Sequence, residues 1–143
     1  MIDDTIYIYV ISNRKNCKCS YCGGYSNKVH SKYKRTFQDL PMQNKKVEII
    51  LNNKKYFCCN TECSQRTFAE SFSCFQFKGK KTIRLEEQIS RIATNMSSIV
   101  AQKYLRVNIA NVSKSTICTF LKKDTLMKIN KNDIKKFVLM ILL

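Results

Sequence analysis

The chain has 143 residues, with 26 Lys and Arg against 10 Asp and Glu, a formal net charge of +16 at pH 7. Hydrophobic residues make up 44% and aromatics 10%, enough apolar material for a folded core, which excludes a disordered basic tail. The charge is too high for an average enzyme and points first to a nucleic-acid partner.

Asp3 and Asp4 follow Met1 where a secretory signal needs a basic start, and the apolar run 6–11 is too short for its hydrophobic region. Residues 5–11, rich in Ile, Tyr and Val, predict a strand. Val47 to Leu51, followed by Tyr56 and Phe57, predicts a hairpin turning at Asn52-Asn53, and both segments read as antiparallel β structure. After Phe77 the period changes. Leu85, Ile89 and Ile92 define one amphipathic helix, and Met96, Ile99, Val100 and Tyr104 the apolar face of a second, which can run on past Tyr104. A third helix is expected to start from Ser113 as N-cap, burying Ile117, Phe120 and Leu121 and turning Lys114, Ser115, Cys118, Thr119 and Lys122 outward. The longest apolar run, 137–143, falls far short of the roughly 17 to 25 residues that span a bilayer. These features predict a soluble intracellular protein without membrane association, where cysteine pairs bind metal rather than each other.

The expected class is α+β, a small zinc-ribbon-like antiparallel β domain followed by a helical domain. Its boundaries fall at 1–77, 78–123 and a tail, 124–143. Halves of this size approach the range where metals or disulfides must supplement the core, and the sequence has eight cysteines. Cys19-Ser-Tyr-Cys22 with Gly23-Gly24 behind it is a knuckle whose backbone can turn amides toward thiolates. Cys58 and Cys63 supply a second pair, and two such pairs can hold one tetrahedral Zn2+. Spacing alone leaves Cys17 a rival of Cys19. Four thiolates leave no open position, so a structural rather than a catalytic zinc is expected. Cys59, Cys74 and Cys118 read as small reduced side chains, and His30, the only histidine, has no acidic neighbour in sequence.

Residues 5–38 contain no acid but carry Arg14, Lys15, Lys18, Lys28, Lys32, Lys34 and Arg35, a stripe suited to neutralising phosphates. Lys78, Lys80, Lys81 and Arg84 precede the first helix and are expected to contact phosphate in a positioning role. The acids are few and dispersed, Asp39 beside Leu40-Pro41 reading as a turn residue, so two-metal phosphodiester chemistry and an enzymatic role are not expected.

Several of these segments resemble one family. Cys19-Ser-Tyr-Cys22-Gly23, the run Val29-His-Ser-Lys-Tyr-Lys-Arg-Thr-Phe-Gln-Asp-Leu-Pro41, Tyr56-Phe-Cys-Cys-Asn-Thr-Glu-Cys63 and Arg66-Thr-Phe-Ala-Glu70 are similar to the N-terminal zinc finger of the ISL-three family of insertion-sequence transposases. Val112-Ser-Lys-Ser-Thr-Ile-Cys118 resembles the helix-turn-helix that follows it. Together they cover about residues 17 to 123. The resemblance implies Cys19, Cys22, Cys58 and Cys63 as zinc ligands, with Cys17 and Cys59 outside the site. It further implies binding to double-stranded DNA at the element's terminal inverted repeats, in a bacterial cytoplasmic, nucleoid-associated setting, with self-association or an intact transposase as further partners. Candidate contacts are Lys28, Lys32, Lys34, Arg35, Lys80, Lys81 and Arg84, and on the third helix Lys114, Ser115, Thr119 and Lys122. Ser20 stands where the family commonly has Pro, and Thr119 where it has a basic residue, which removes the usual guanine-reading cation. A zinc-ribbon protein or RNA interaction module without transposon-end specificity is the alternative.

The family's catalytic core begins just after the helix-turn-helix with a motif similar to Ile-Cys-Ile-Asp-Asp-Phe-Ala-Leu. Residues 134–143 can be written in codons that, with one base added to an A-run, read Ile-Lys-Lys-Ile-Cys-Ile-Asp-Asp-Phe-Ala. A single-base slip that truncates a transposase at the edge of its core is the expectation this gives, and sequencing the gene tests it.

Overall fold

The computed structural model describes residues 4–128, with side chains as far as 123. Two compact units divide the chain, one ending at Leu85 and the other beginning at Glu86. The first contains β1 (Thr5–Ile11), β2 (Cys17–Lys18), β3 (Tyr25–Ser26), β4 (Val29–Met42), β5 (Lys45–Phe57) and β6 (Thr67–Ala69). Helix α1 (Ile83–Thr94) straddles the boundary, and α2 (Ser98–Asn108) and α3 (Lys114–Lys128) belong to the second unit. The α+β class expected from the sequence is the class observed.

Strands β4 and β5 form a long antiparallel ribbon whose turn is at Gln43-Asn44, where both residues have positive φ, 50° and 60°. That is the backbone of a two-residue turn matched to strand twist. The expected turn at Asn52-Asn53 is therefore wrong. Both asparagines lie within β5, and Asn53 is fully buried, its Nδ2 donating to Tyr33 Oη at 2.9 Å. A carboxamide satisfied in this way has no need of a turn. The antiparallel expectation also fails for β1, which pairs with β5 in parallel from Thr5↔Lys46 to Ile11↔Asn52. The intervening residues 12–44 contain the knuckle and β4, and they return the chain to the far side of β5.

Paired residues share a sheet face. One face carries Ile6, Ile8 and Val10 of β1, Val47 and Leu51 of β5, and Phe37 and Asp39 of β4. Phe75 stacks on Phe37 with ring centroids 4.0 Å apart. The second edge of β4 is bound by residues 80–82, with Gln38 N donating to Lys80 O at 2.9 Å and Thr82 N to Gln38 O at 3.0 Å. Asp39 is not a turn residue. It is buried within β4 and accepts from Thr82 Oγ1 at 2.7 Å, from Arg84 Nε at 2.7 Å and from Arg84 Nη2.

In the helices, Leu85, Ile89 and Ala93 recur every fourth residue on the buried side of α1. The apolar face expected for α2 needs correction: Ile99, Val100 and Tyr104 are exposed, and the buried residues are Ala101 and Leu105. Large apolar side chains suggested the wrong stripe: α2 packs against α3, and its buried side carries small Ala101 with Leu105 instead. Helix α2 does run past Tyr104, to Asn108. Helix α3 begins as expected, with Ser113 Oγ accepting from Thr116 N at 3.2 Å and Ile117 buried. Phe120 and Leu121 are half-buried. The tail at 134–143, on which the frame-slip expectation depends, lies outside the described residues.

Candidate metal centre and basic surface

The short β2–β3 hairpin presents the first knuckle. Gly23 N donates to Cys19 O at 3.0 Å and Cys19 N to Gly24 O at 2.8 Å, closing a tight loop in which Gly23 has φ +76°. A side chain is strained in that conformation, which explains glycine here. The second knuckle leaves the end of β5, where Cys58 N donates to Arg66 O at 2.8 Å and Cys63 N to Asn60 O at 3.2 Å. These loops bring the Sγ atoms of Cys19, Cys22, Cys58 and Cys63 within 4.8 Å of one another, with Cys22 and Cys58 3.5 Å apart.

A tetrahedral zinc with Zn–S bonds of about 2.3 Å spaces its sulfurs by about 3.8 Å, so the cluster has the size of that ion. The proton chemistry agrees. The Gly24 amide and the Cys58 thiol favour the Cys22 thiolate and lower its pKa to about 7. At Cys58 the Asn60 amide favours the thiolate, but burial and the adjoining thiols Cys22, Cys63 and Cys19 outweigh it and push the pKa up to about 12. Cys63 is raised too, against the pull of the Gln65 amide and of Cys58, by burial and by Cys22 and Cys19. Once one thiolate forms, further negative charge at this spacing is unfavourable without a cation. A divalent metal relieves that repulsion, and four sulfur ligands select zinc in a closed, structural site.

Beneath the sulfurs, Cys17, Cys19, Tyr56 and Phe68 form a small buried cluster against which Cys58 and Cys63 pack. The structure separates the rivals Cys17 and Cys19: the first is outside the sulfur cluster and burial raises its thiol pKa, with Glu70 adding to the rise. Cys59 instead donates to Ser26 Oγ at 3.4 Å. His30 packs edge-on against Phe57, with centroids 4.7 Å apart. One structural residue was not foreseen. Glu70 is buried, accepts from Ser12 Oγ at 2.5 Å and has Arg14 Nη1 3.9 Å away, so it fixes the segment between β1 and the knuckle. Nothing in its sequence context distinguishes it from a surface carboxylate.

Among the basic residues, Lys28, Lys32 and Lys34 are exposed. Arg35 is half-buried: its Nη2 donates to Gln76 O at 3.3 Å and Gly79 O at 3.2 Å, and its guanidinium lies 4.6 Å from the Phe37 centroid. Arg84 is held by Asp39. Lys80 is exposed and Lys81 half-buried. In the second unit Lys114, Ser115, Thr119 and Lys122 are exposed along α3, with Thr119 Oγ1 donating back to Ser115 O at 2.9 Å.

A four-cysteine zinc ribbon carried on a long basic hairpin is the class these features define. Residues 15–66 match the family model described as the zinc-finger of transposase IS204/IS1001/IS1096/IS1165, a span that includes both knuckles and the whole of β4 and β5. No curated protein and no solved structure matches the chain significantly. No described helix is long and apolar enough to cross a membrane.

Proposed function

We propose that this chain binds double-stranded DNA at the terminal inverted repeats of an insertion sequence. The ribbon, residues 1–77 in this reading, contributes phosphate contacts through Lys28, Lys32 and Lys34. Residues 78–123 form a helix-turn-helix unit in which α3 enters the major groove with Lys114, Ser115, Thr119 and Lys122 toward the bases. Lys80 and Lys81 position the duplex through its backbone. Arg35 and Arg84 act at one remove, since their guanidinium groups brace the loop at 76–79 and Asp39.

The observation that carries this reading is the transposase zinc-finger match over the same residues that assemble the four-sulfur site, on a chain of net charge +16. Binding alone is assigned. Among the described residues, the group that could hold a metal ion is these four cysteines, a closed structural set. A protein that binds transposon ends without cutting them competes with an intact transposase.

A mobility-shift titration with zinc-loaded protein tests the reading, using a duplex of the terminal repeat and a scrambled duplex of equal length. Preference for the repeat is expected, with affinity falling as salt rises by a slope of about 0.9 per phosphate contact. Equal affinity for both duplexes, or binding to RNA alone, overturns it and favours the interaction-module alternative.

A further inference from the structure

The sheet face opposite Phe37 and Leu51 carries a second set of residues. Tyr7 and Tyr9 project from it 56% and 71% exposed, and Ile11 beyond them is 72% exposed. Across the sheet, Tyr9 pairs with Ile50 and Ile50 with Thr36, while the next row leads from Ile11 through Asn52 to Lys34. Lys32 follows on the same face. Glu48, beside Tyr7, is the one carboxylate in these rows.

From this arrangement we infer that the outer sheet face is a stacking platform for unpaired nucleic-acid bases. The inference rests on the preceding proposal only in requiring a polyanionic partner. Two tyrosines on alternate positions of one strand are anchored about 6.7 Å apart, roughly twice the 3.4 Å step between stacked bases. Their rings give planar, amphipathic surfaces for bases, and Lys32 and Lys34 lie to one side, where a sugar-phosphate chain would run. In a duplex the base faces are hidden by stacking, so the tyrosines discriminate in favour of single strands. A protein partner of complementary charge is the other possible occupant of such a face, and so is a second copy paired along β1, whose seven residues carry no charged gatekeeper. Two copies at +16 each repel, whereas a single strand is attracted by the same charge.

The test uses the full zinc-loaded chain and a fluorescein-labelled oligothymidylate of about 12 nucleotides, beside a duplex of the same length. Replacing Tyr9 or Tyr7 by Ala is expected to weaken oligothymidylate binding roughly tenfold and to leave duplex affinity essentially unchanged, while Tyr9→Phe retains single-strand binding. The chain has no Trp and seven Tyr, so tyrosine emission can be followed without interference, and its quenching by the oligonucleotide should be reduced in Tyr9→Ala and reduced further when Tyr7 is replaced as well. Unchanged zinc content keeps the folded state under control. The inference is overturned if oligothymidylate does not bind, if Ala at both positions leaves its affinity intact, if duplex affinity falls equally, or if the native chain sediments as a dimer that Tyr9→Ala dissociates.

Discussion

Around Tyr56 and Phe68 the ribbon buries two aromatic rings with Cys17 and Cys19, the latter one of the four converging sulfurs, and little else. The helical unit instead buries Ala101, Leu105, Ala110, Val112 and Ile117, and its described residues include no metal-capable cluster. Knuckle loops are short of apolar atoms because their residues serve backbone turning and sulfur placement. Their order must come from the ion, whereas α2 and α3 obtain theirs from side chains that exclude water. Metal and apolar packing are thus assigned to separate parts of one chain, and each can be removed on its own.

Zinc removal has the largest expected effect. Structural zinc contributes on the order of 10 kcal/mol in peptides of this kind, more than a domain of this size can lose. Chelation, or the paired change Cys58→Ser and Cys63→Ser, should abolish dispersed amide signals from residues 17–26 and 58–69 in an NMR spectrum while those of α2 and α3 persist. Cys17→Ser is the contrast: it removes a buried thiol without removing a ligand, so one zinc per chain should remain. Loss of helical signals on chelation, or a ribbon that stays ordered without zinc, breaks the distinction between the two regions.

The same contrast explains how much could be read in the sequence. Ligand chemistry is local: Cys-x-x-Cys, two glycines and a second pair announce a zinc knuckle wherever the chain takes them, and the choice between Cys17 and Cys19, open on spacing alone, falls to Cys19 by the family resemblance and by the sulfur cluster alike. The edge partner of β1 was not local. Its β-rich composition marks a strand, but the direction of pairing is set by the 33 residues between it and β5. Turn propensity also misled, because Asn52-Asn53 suits a turn in isolation while Tyr33 supplies a hydroxyl that accepts from the buried Asn53 in the strand. The paired Asp39 and Arg84 are separated by 45 positions, so by themselves the first reads as a turn residue and the second as a phosphate contact. In α2, residue size was a poor guide, because the buried side holds small Ala101 while Ile99, Val100 and Tyr104 are exposed.

Leu105→Ala should cost about 2–5 kcal/mol, since Leu105 is fully buried in the helical unit. A reduced denaturant midpoint with unchanged zinc affinity is expected. If zinc affinity falls in parallel, the two regions are not energetically separate.

Asp39→Asn comes next, at about 1–3 kcal/mol, the usual cost of weakening buried hydrogen bonds to a charged group. Burial opposes ionisation of Asp39, but hydrogen bonds from Arg84, Thr82 and the Leu40 amide prevail and hold its pKa below the usual carboxylate value. A depressed folded pKa means stability that is complete above the unfolded value of about 3.9 and lost as pH falls through the folded one. The difference in stability between native and variant protein should therefore stay flat from about pH 8 to 5 and close only below about pH 4. Zinc affinity instead falls steadily as pH drops over that range, because protons compete directly for the thiolates. Chemical denaturation at fixed zinc, repeated across pH, separates the two dependences, and a difference that shrinks already between pH 7 and 5 would show that Asp39 reports on the metal.

The smallest effect expected is at the start of α3. Ser113 Oγ accepts from Thr116 N at 3.2 Å and also lies 2.9 Å from both Ser115 Oγ and Thr116 Oγ1, so one hydroxyl organises the whole first turn. Ser97 caps α2 through a longer contact, 3.4 Å to Val100 N, with no comparable set of hydroxyls around it. Ser113→Ala should cost about 1 kcal/mol, and Ser97→Ala less. Ser113→Asp should recover the loss, because a carboxylate both accepts the orphan amide bond and is favoured by the positive end of the helix dipole. Thermal midpoints of the three variants, with zinc saturated so that the ribbon does not contribute, give the ranking directly. A cost at Ser97 equal to that at Ser113 would mean that backbone preference alone, rather than the hydroxyl network, fixes where α3 begins.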